Sequence, residues 1–236
     1  MPTQRADGPS DPAVRARPGR LVAFEGIDGA GKSTHIRRLA TALEAAGVAV
    51  VTSREPTDGA WGQRLRASAQ TGRLPLDEEI ELFARDRAEH AATLIRPALE
   101  AGQVVILDRY FYSSIAYQGA RGGDPAAIEA RMRALAPTPD LVVLIDLDPD
   151  VALHRIAQGR GEAPNAFERR EALVDIRQRF LAMAERCPEM AIVSGDGPAE
   201  AVHTQIRHVI YDRLLRGWAS DEVQAQLRPA APPDSR

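Results

Sequence analysis

Short apolar runs recur along the chain at Leu21–Phe24, Val48–Thr52, Val104–Leu107, Leu141–Ile145 and, more weakly, Met190–Val193. Between them, apolar residues return every three or four positions, over His35–Ala46, Asp77–Leu99, Ala126–Leu135, Asp150–Ile156, Arg169–Glu185 and Ala199–Leu214. An unbroken apolar run bounded by polar residues fits a strand covered on both faces, and the three-to-four spacing fits an amphipathic helix. Strands alternating with helices predict βαβ units and a parallel sheet with helices on both faces. Pro97 predicts a kink or an end near the close of the Asp77–Leu99 helix. In such a sheet ligands bind beyond the carboxyl ends of the strands. That rule directs attention to Glu25–Lys32, Arg54–Pro56, Asp108–Tyr110 and Asp146–Pro149.

A chain of 236 residues is long enough for one sizeable α/β domain and short for two. The formal net charge of −3 argues against nucleic acid or a membrane surface as partner. The single cysteine, Cys187, excludes an internal disulfide and is consistent with a reducing, cytoplasmic setting. No apolar run approaches a membrane span, and the N-terminus carries no apolar signal core. Residues 1–19, with Pro, Gly and Arg but no periodicity, read as a disordered segment. Residues 20–216 read as the folded domain, and residues 217–236, ending in R-P-A-A-P-P-D-S-R, as a partly disordered extension.

The chemistry enters at Gly26–Ser33, G-I-D-G-A-G-K-S, which fits the phosphate-cradling pattern G-x-x-x-x-G-K-[ST] at each specified position. It lies between a predicted strand and a predicted helix, the setting the motif requires. Glycines there let backbone N–H groups face phosphate oxygens, and the helix N-terminus adds partial positive charge. This predicts an ATP-binding loop over Gly26, Ile27, Asp28, Gly29, Ala30, Gly31, Lys32, Ser33 and Thr34. Lys32 would reach the β- and γ-phosphates and Ser33 would ligate magnesium. Asp108 follows V-V-I-L, a hydrophobic strand ending in a carboxylate that supports a nucleotide's magnesium. Arg109 follows at once and would bind a phosphate beside that carboxylate. On residues alone, R-E-P at Arg54–Pro56 reads equally as a loop start or as part of a site. The stretch Gly159–Glu168, flanked by Arg155 and Arg169, reads equally as a solvated loop or as a mobile flap near 158–168 that closes over ATP.

A phosphate loop names a nucleotide and not a reaction. F-E-G-I-D-G-A-G-K-S-T, R-E-P, L-F-A-R-D-R-A-E-H, D-R-Y-F-Y-S-S-I-A-Y-Q-G and P-D-L-V-V-L-I-D-L, taken together and in this order, resemble bacterial thymidylate kinases from about Arg20 to Leu214. The resemblance implies the P-loop nucleoside-monophosphate-kinase fold, with a five-stranded parallel sheet. It implies transfer of the γ-phosphate of ATP to dTMP with Mg2+, in a homodimer. It implies that Asp28 contacts the sugar 3′-hydroxyl of dTMP, that Phe83 stacks on thymine, and that Arg87 donates to a thymine carbonyl. Arg66 and Arg109 would hold the dTMP phosphate, Ser114 and Gln118 would read the base edge, and Tyr117 would crowd the ribose 2′ position. Pro56 would shape the pocket near the thymine methyl, with Glu55 beside it. Catalysis would rest on Lys32, Arg109, Asp28 and Arg160, the last as a flap arginine followed by Phe167 and Glu168. Metal would sit on Ser33 and Asp108. After R-E-P this chain departs from the family's common G-G-T and reads T-D-G-A-W-G, which leaves acceptor preference open. A kinase for another nucleotide and a non-catalytic nucleotide-binding module are the alternatives. No guanine-specifying N-K-x-D is present.

Overall fold

The computed structural model describes residues 18–160 and 170–229, with the side chains of Gln70, Gly159 and Arg160 outside the description. The predicted segment 1–17, most of the predicted flap, and residues 230–236 therefore lie outside the described residues. Five strands form one all-parallel sheet: β1 Arg20–Glu25, β2 Val50–Arg54, β3 Val104–Asp108, β4 Leu141–Asp146 and β5 Met190–Ser194. Their order is β2-β3-β1-β4-β5. β1, β3 and β4 are almost wholly buried, as their unbroken apolar runs require. Each Val or Leu so covered contributes about 1.5–3 kcal/mol. The edge strands β2 and β5 are half exposed, and Ile192 on β5 is 51% exposed.

The register levels the carboxyl ends. Phe24 pairs with Asp108, Arg54 pairs with Asp108, and Asp146 pairs with Ser194. The pairing runs on past the strands, with Arg109 N donating to Phe24 O at 3.0 Å and Glu55 N to Asp108 O at 3.1 Å. Polar residues from three strands thus reach one edge of the sheet together.

Around the sheet lie α1 Lys32–Ala45, α2 Ala60–Thr71, α3 Leu76–His90, α4 Arg96–Glu100, α5 Phe111–Gly119, α6 Pro125–Leu135, α7 Pro149–Arg160, α8 Arg170–Arg186, α9 Ala199–Ile210 and α10 Asp221–Leu227. The predicted Asp77–Leu99 helix is α3, a wide turn over Ala91–Ile95 and α4 in succession. Arg96 N there bonds back to Ala91 O, five residues away. A widened turn carries the chain past Pro97, which has no N–H to give and whose ring would press on the carbonyl four residues back. β2 starts two residues later than predicted, because Val48 N bonds to Leu43 O and closes α1 instead. The helices α2 and α5 are not foreshadowed by periodicity. α5 is buried on nearly every side, so it shows no polar face, and α2 offers few apolar residues at helical spacing. Gly62 in α2 is required by packing, since a Cβ there would run into the Thr57 carbonyl.

On the far side of α1, His35 stacks on His203 of α9 with ring centroids 5.7 Å apart and planes 9° apart. Burial pushes the His203 imidazole down to about 4, and Arg38, His35 and Arg207 act in the same direction.

Candidate active site

The carboxyl ends of β1, β2 and β3, together with α2, α3 and α5, enclose a cleft of about 550 Å3. Between β1 and α1 the chain turns through Gly26–Gly31. Gly29 has φ 83°, a left-handed conformation that favours glycine. A Cβ on it would also lie 2.6 Å from the Ala152 carbonyl oxygen of α7. The Lys32 ammonium is held over the loop by the carbonyls of Gly26 and Ile27, each at 3.0 Å. Two of its three N–H groups are used there, which leaves one for a phosphate. Burial lowers Lys32 to about 8 with Arg109 adding to it, and Asp28, Asp108 and Glu25 oppose the shift. Of the predicted loop, Asp28, Gly29, Gly31, Lys32, Ser33 and Thr34 line the cleft. Gly26 contributes its carbonyl, and the side chains of Ile27 and Ala30 are buried.

Ser33 Oγ donates to Asp108 Oδ2. A hydroxyl and a carboxylate in contact form the hard-oxygen set that Mg2+ takes, since that ion borrows its remaining ligands from phosphates and water. Among the described residues no three His, Cys, Asp or Glu side chains gather as a metal cage.

Arg109 adopts φ 69°, in the left-handed region that side-chain-bearing residues seldom occupy. Its backbone is held by Phe24 O. Its guanidinium donates to Asp28 Oδ1 at 2.6 Å, Ser113 Oγ at 3.0 Å, Tyr117 OH at 3.1 Å and Gly26 O at 3.3 Å. Beneath it sits Glu25, fully buried, which accepts from Tyr110 N at 2.8 Å, Ser113 N at 3.2 Å and Ser113 Oγ at 2.6 Å. Burial raises the Glu25 carboxyl to about 7 against the pull of those donors and of Arg109 and Lys32. Strain at one arginine, fixed by many contacts, marks a place where position matters. Neither Glu25 nor Ser113 was picked out in the sequence as a site residue. The available signal was a carboxylate at the end of a buried strand, directly before a phosphate loop.

The opposite wall is a set of buried ion pairs. Arg87, 1% exposed, donates to Glu55 Oε2 through Nε at 3.0 Å and Nη2 at 2.6 Å, and to Ser114 Oγ at 3.2 Å. His90 Nδ1 lies 3.0 Å from Glu55 Oε1, and its Nε2 lies 2.9 Å from Ser53 Oγ. Glu55 thus holds Arg87 from one side and His90 from the other. Gln118 Nε2 donates to Glu79 Oε1 at 2.8 Å, and Glu79 is also paired with Arg121 and Arg73. Glu79 thus takes the N–H end of the Gln118 amide and leaves its carbonyl oxygen to another partner. Two atoms of this wall are buried with no hydrogen-bond partner among the described residues: Arg87 Nη1, a donor, and Gln118 Oε1, an acceptor. Phe83, one turn before Arg87 on α3, lines the same space with Pro56, Arg66, Ser114 and Tyr117. Burial pushes the Tyr117 hydroxyl well above the ordinary phenol range, so it stays protonated at neutral pH. His90, Glu79 and Asp86, which hold this wall in place, were not singled out in the sequence. Single carboxylates and a lone histidine on a helix carry no signal until their partners are known.

Of the predicted site residues, Arg160 is the one whose side chain lies outside the described residues, and Phe167 and Glu168 lie outside them entirely. The rest line the cleft, except Gly26, Ile27 and Ala30 of the loop.

A family model described as thymidylate kinase matches residues 24–206. The thymidylate kinase of Xanthomonas oryzae pv. oryzae (strain PXO99A) is 48% identical over 213 residues, which cover 90% of this chain and 92% of that protein. That of Xanthomonas euvesicatoria pv. vesicatoria (strain 85-10) is 51% identical over 213 residues, covering 89% and 92%. That of Akkermansia muciniphila is 48% identical over 198 residues, covering 84% and 94%.

Proposed function

The chain belongs to the thymidylate kinase family, and on that premise we propose how its cleft transfers the γ-phosphate of ATP to dTMP, giving dTDP and ADP. ATP lies on Gly26–Thr34 with Lys32 at its β- and γ-phosphates. dTMP lies opposite, its thymine between Phe83 and Pro56 and its phosphate toward Arg66 and Arg109. The acceptor oxygen is already anionic at neutral pH, so in-line attack on the γ-phosphorus needs no strong base. Lys32 and Arg109 neutralise the developing charge, and Asp28 meets the sugar 3′-hydroxyl. Ser33 and Asp108 would hold Mg2+, which when bound neutralises charge on the β- and γ-oxygens.

The observation that carries the acceptor assignment is the pair of unpartnered buried atoms on α3 and α5. Arg87 Nη1 is a donor and Gln118 Oε1 an acceptor. Thymine offers the complement along one edge, a C4 carbonyl to accept and an N3–H to donate. Cytosine reverses both and would leave two buried groups facing like partners, a mismatch worth far more than a lost methyl contact. Tyr117, held by Arg109, crowds the 2′ position against a ribonucleotide. ADP release from Mg-ATP with dTMP, dUMP, dCMP, dGMP and UMP offered singly tests this. dTMP is expected to be preferred, with dCMP at least about 100-fold poorer. Equal use of dCMP would remove Arg87 and Gln118 as base readers.

No helix among the described residues is long and apolar enough to cross a membrane. A cytoplasmic homodimer working on free nucleotides completes the proposal. Light scattering of the purified chain tests the dimer, and a mass of one chain, 25.6 kDa, would refute it.

A further inference from the structure

The segment after Pro56 is where this chain reads T-D-G-A-W-G, and its backbone is tightly held. Thr57 N donates to Asp86 Oδ2 at 2.8 Å and Thr57 Oγ1 donates to Asp86 Oδ1 at 2.6 Å. Gly59 N donates to Thr57 Oγ1 at 3.1 Å, and Gly62 packs directly under the Thr57 carbonyl. Gln63 Nε2 adds a bond to Asp58 O at 2.7 Å. On this fixed frame the Asp58 side chain is 74% exposed, and it can swing without disturbing the loop. Its Oδ1 accepts from Arg54 Nη2 at 2.7 Å and from Arg66 Nη2 at 2.9 Å. Arg66 Nη1 is meanwhile held by Pro56 O at 2.7 Å. Both arginines line the cleft. The Arg54 guanidinium beside it holds the Asp58 carboxyl below the usual carboxylate range.

We propose that Asp58 is a built-in rival of the acceptor phosphate: its carboxylate occupies the guanidinium N–H groups of Arg54 and Arg66 that the incoming monophosphate must take. This rests on the reading of Arg66 as a phosphate ligand. The exchange is favourable because an exposed ion pair is weak, whereas a phosphate dianion offers three strong acceptor oxygens. A neutral nucleoside or a weaker anion does not displace the carboxylate. Asp58 therefore raises the KM for dTMP and leaves the binding of a neutral nucleoside unchanged. It tunes the affinity for the acceptor phosphate through Arg66 and does not touch the reacting atoms.

The experiment compares wild type, Asp58→Asn, Arg66→Ala and the double variant in dTMP-dependent ADP release, with thymidine as a competitive inhibitor. Asp58→Asn is expected to lower the KM for dTMP roughly two- to fivefold, with kcat, the KM for ATP and the Ki of thymidine unchanged. In the Arg66→Ala background the same change should give no further gain. Asp58→Ser, with melting temperatures for all variants, guards against a folding artefact. Glu78→Gln, which removes a charge paired with Arg64 outside the cleft, controls for general electrostatics and should leave the KM for dTMP unchanged. An unchanged or higher KM in Asp58→Asn would overturn the proposal, as Asp58 would then be positioning Arg66 and not competing for it. Equal tightening of thymidine, or an equal gain in Glu78→Gln, would overturn it as well. If Arg66→Ala leaves the KM for dTMP untouched, the underlying assignment of Arg66 fails instead, and the two failures are told apart.

Discussion

The side of the cleft proposed for the donor, Gly26–Thr34, presents a backbone surface and one lysine resting on two carbonyls. The side proposed for the acceptor, from Glu55 across to Gln118, presents side chains that hold one another. Glu55 grips Arg87 and His90, and Glu79 grips Gln118, Arg121 and Arg73. The first surface is a contiguous stretch whose shape comes from its own dihedral angles. The second is assembled from β2, α3 and α5, and its shape comes from pairing between groups up to 42 residues apart. A donor-side substitution should therefore touch chemistry and spare the fold, whereas an acceptor-side substitution should damage both.

The sharpest way to break that contrast is Lys32→Ala. Turnover is expected to fall about 10³-fold or more, with a melting temperature within a few degrees of wild type. Near-normal turnover would also sink the phosphate-loop assignment. Next is Glu55→Ala, which leaves the Arg87 guanidinium buried without its carboxylate. Urea denaturation should register a loss of about 3–5 kcal/mol, far more than Lys32→Ala shows. A loss no larger than that of an exposed substitution would mean the acceptor wall is not held by its ion pairs. Smaller is Ser114→Ala, which removes one bond to Arg87. It should raise the KM for dTMP about fivefold, the equivalent of about 1 kcal/mol, and leave the KM for ATP alone.

The smallest expected effect is on the donor side's outer face. The folded-state value of His203 is depressed to about 4, below the ordinary imidazole value of 6.5. The unfolded chain therefore binds the extra proton first, and stability is lost as pH falls from 6.5 toward 4. Melting temperatures at pH 7 and pH 5 should fall less in His203→Gln than in wild type, with a difference on the order of 1 kcal/mol after allowance for solvent screening. Equal falls would remove His203 as a source of acid sensitivity.

The same contrast explains what could be read from the chain before its fold was known. The five strands show in the apolar pattern as short apolar runs, and the long helices because each sets an apolar face against a polar one. α5 escapes that pattern because Phe111, Tyr112, Ser114, Ile115, Ala116 and Gln118 are all buried, leaving no polar face to set a period. The donor loop is legible residue by residue, because its chemistry depends on glycines, a lysine and a hydroxyl at fixed spacing. On the acceptor side, Phe83, Arg87, Ser114 and Gln118 could be named through family resemblance, not through their own pattern. Glu25 stands in a stretch the strand-end rule marks but has no role there, and Ser113, Glu79 and His90 could not be named at all. Their meaning lies in a partner far along the chain, and a carboxylate on a helix looks the same whether it faces water or a buried guanidinium. The pairing of Asp58 with Arg54 and Arg66 is of this kind. The sequence marks only that the loop is unusual there.

The absence of room for a Cβ at Gly29, beside the Ala152 carbonyl, bounds the routes by which this chain can change. Any codon substitution at position 29 adds atoms where α7 already stands, in a backbone conformation that side chains resist. A cation therefore cannot drift into the phosphate loop there by one mutational step, because α7 would first have to withdraw.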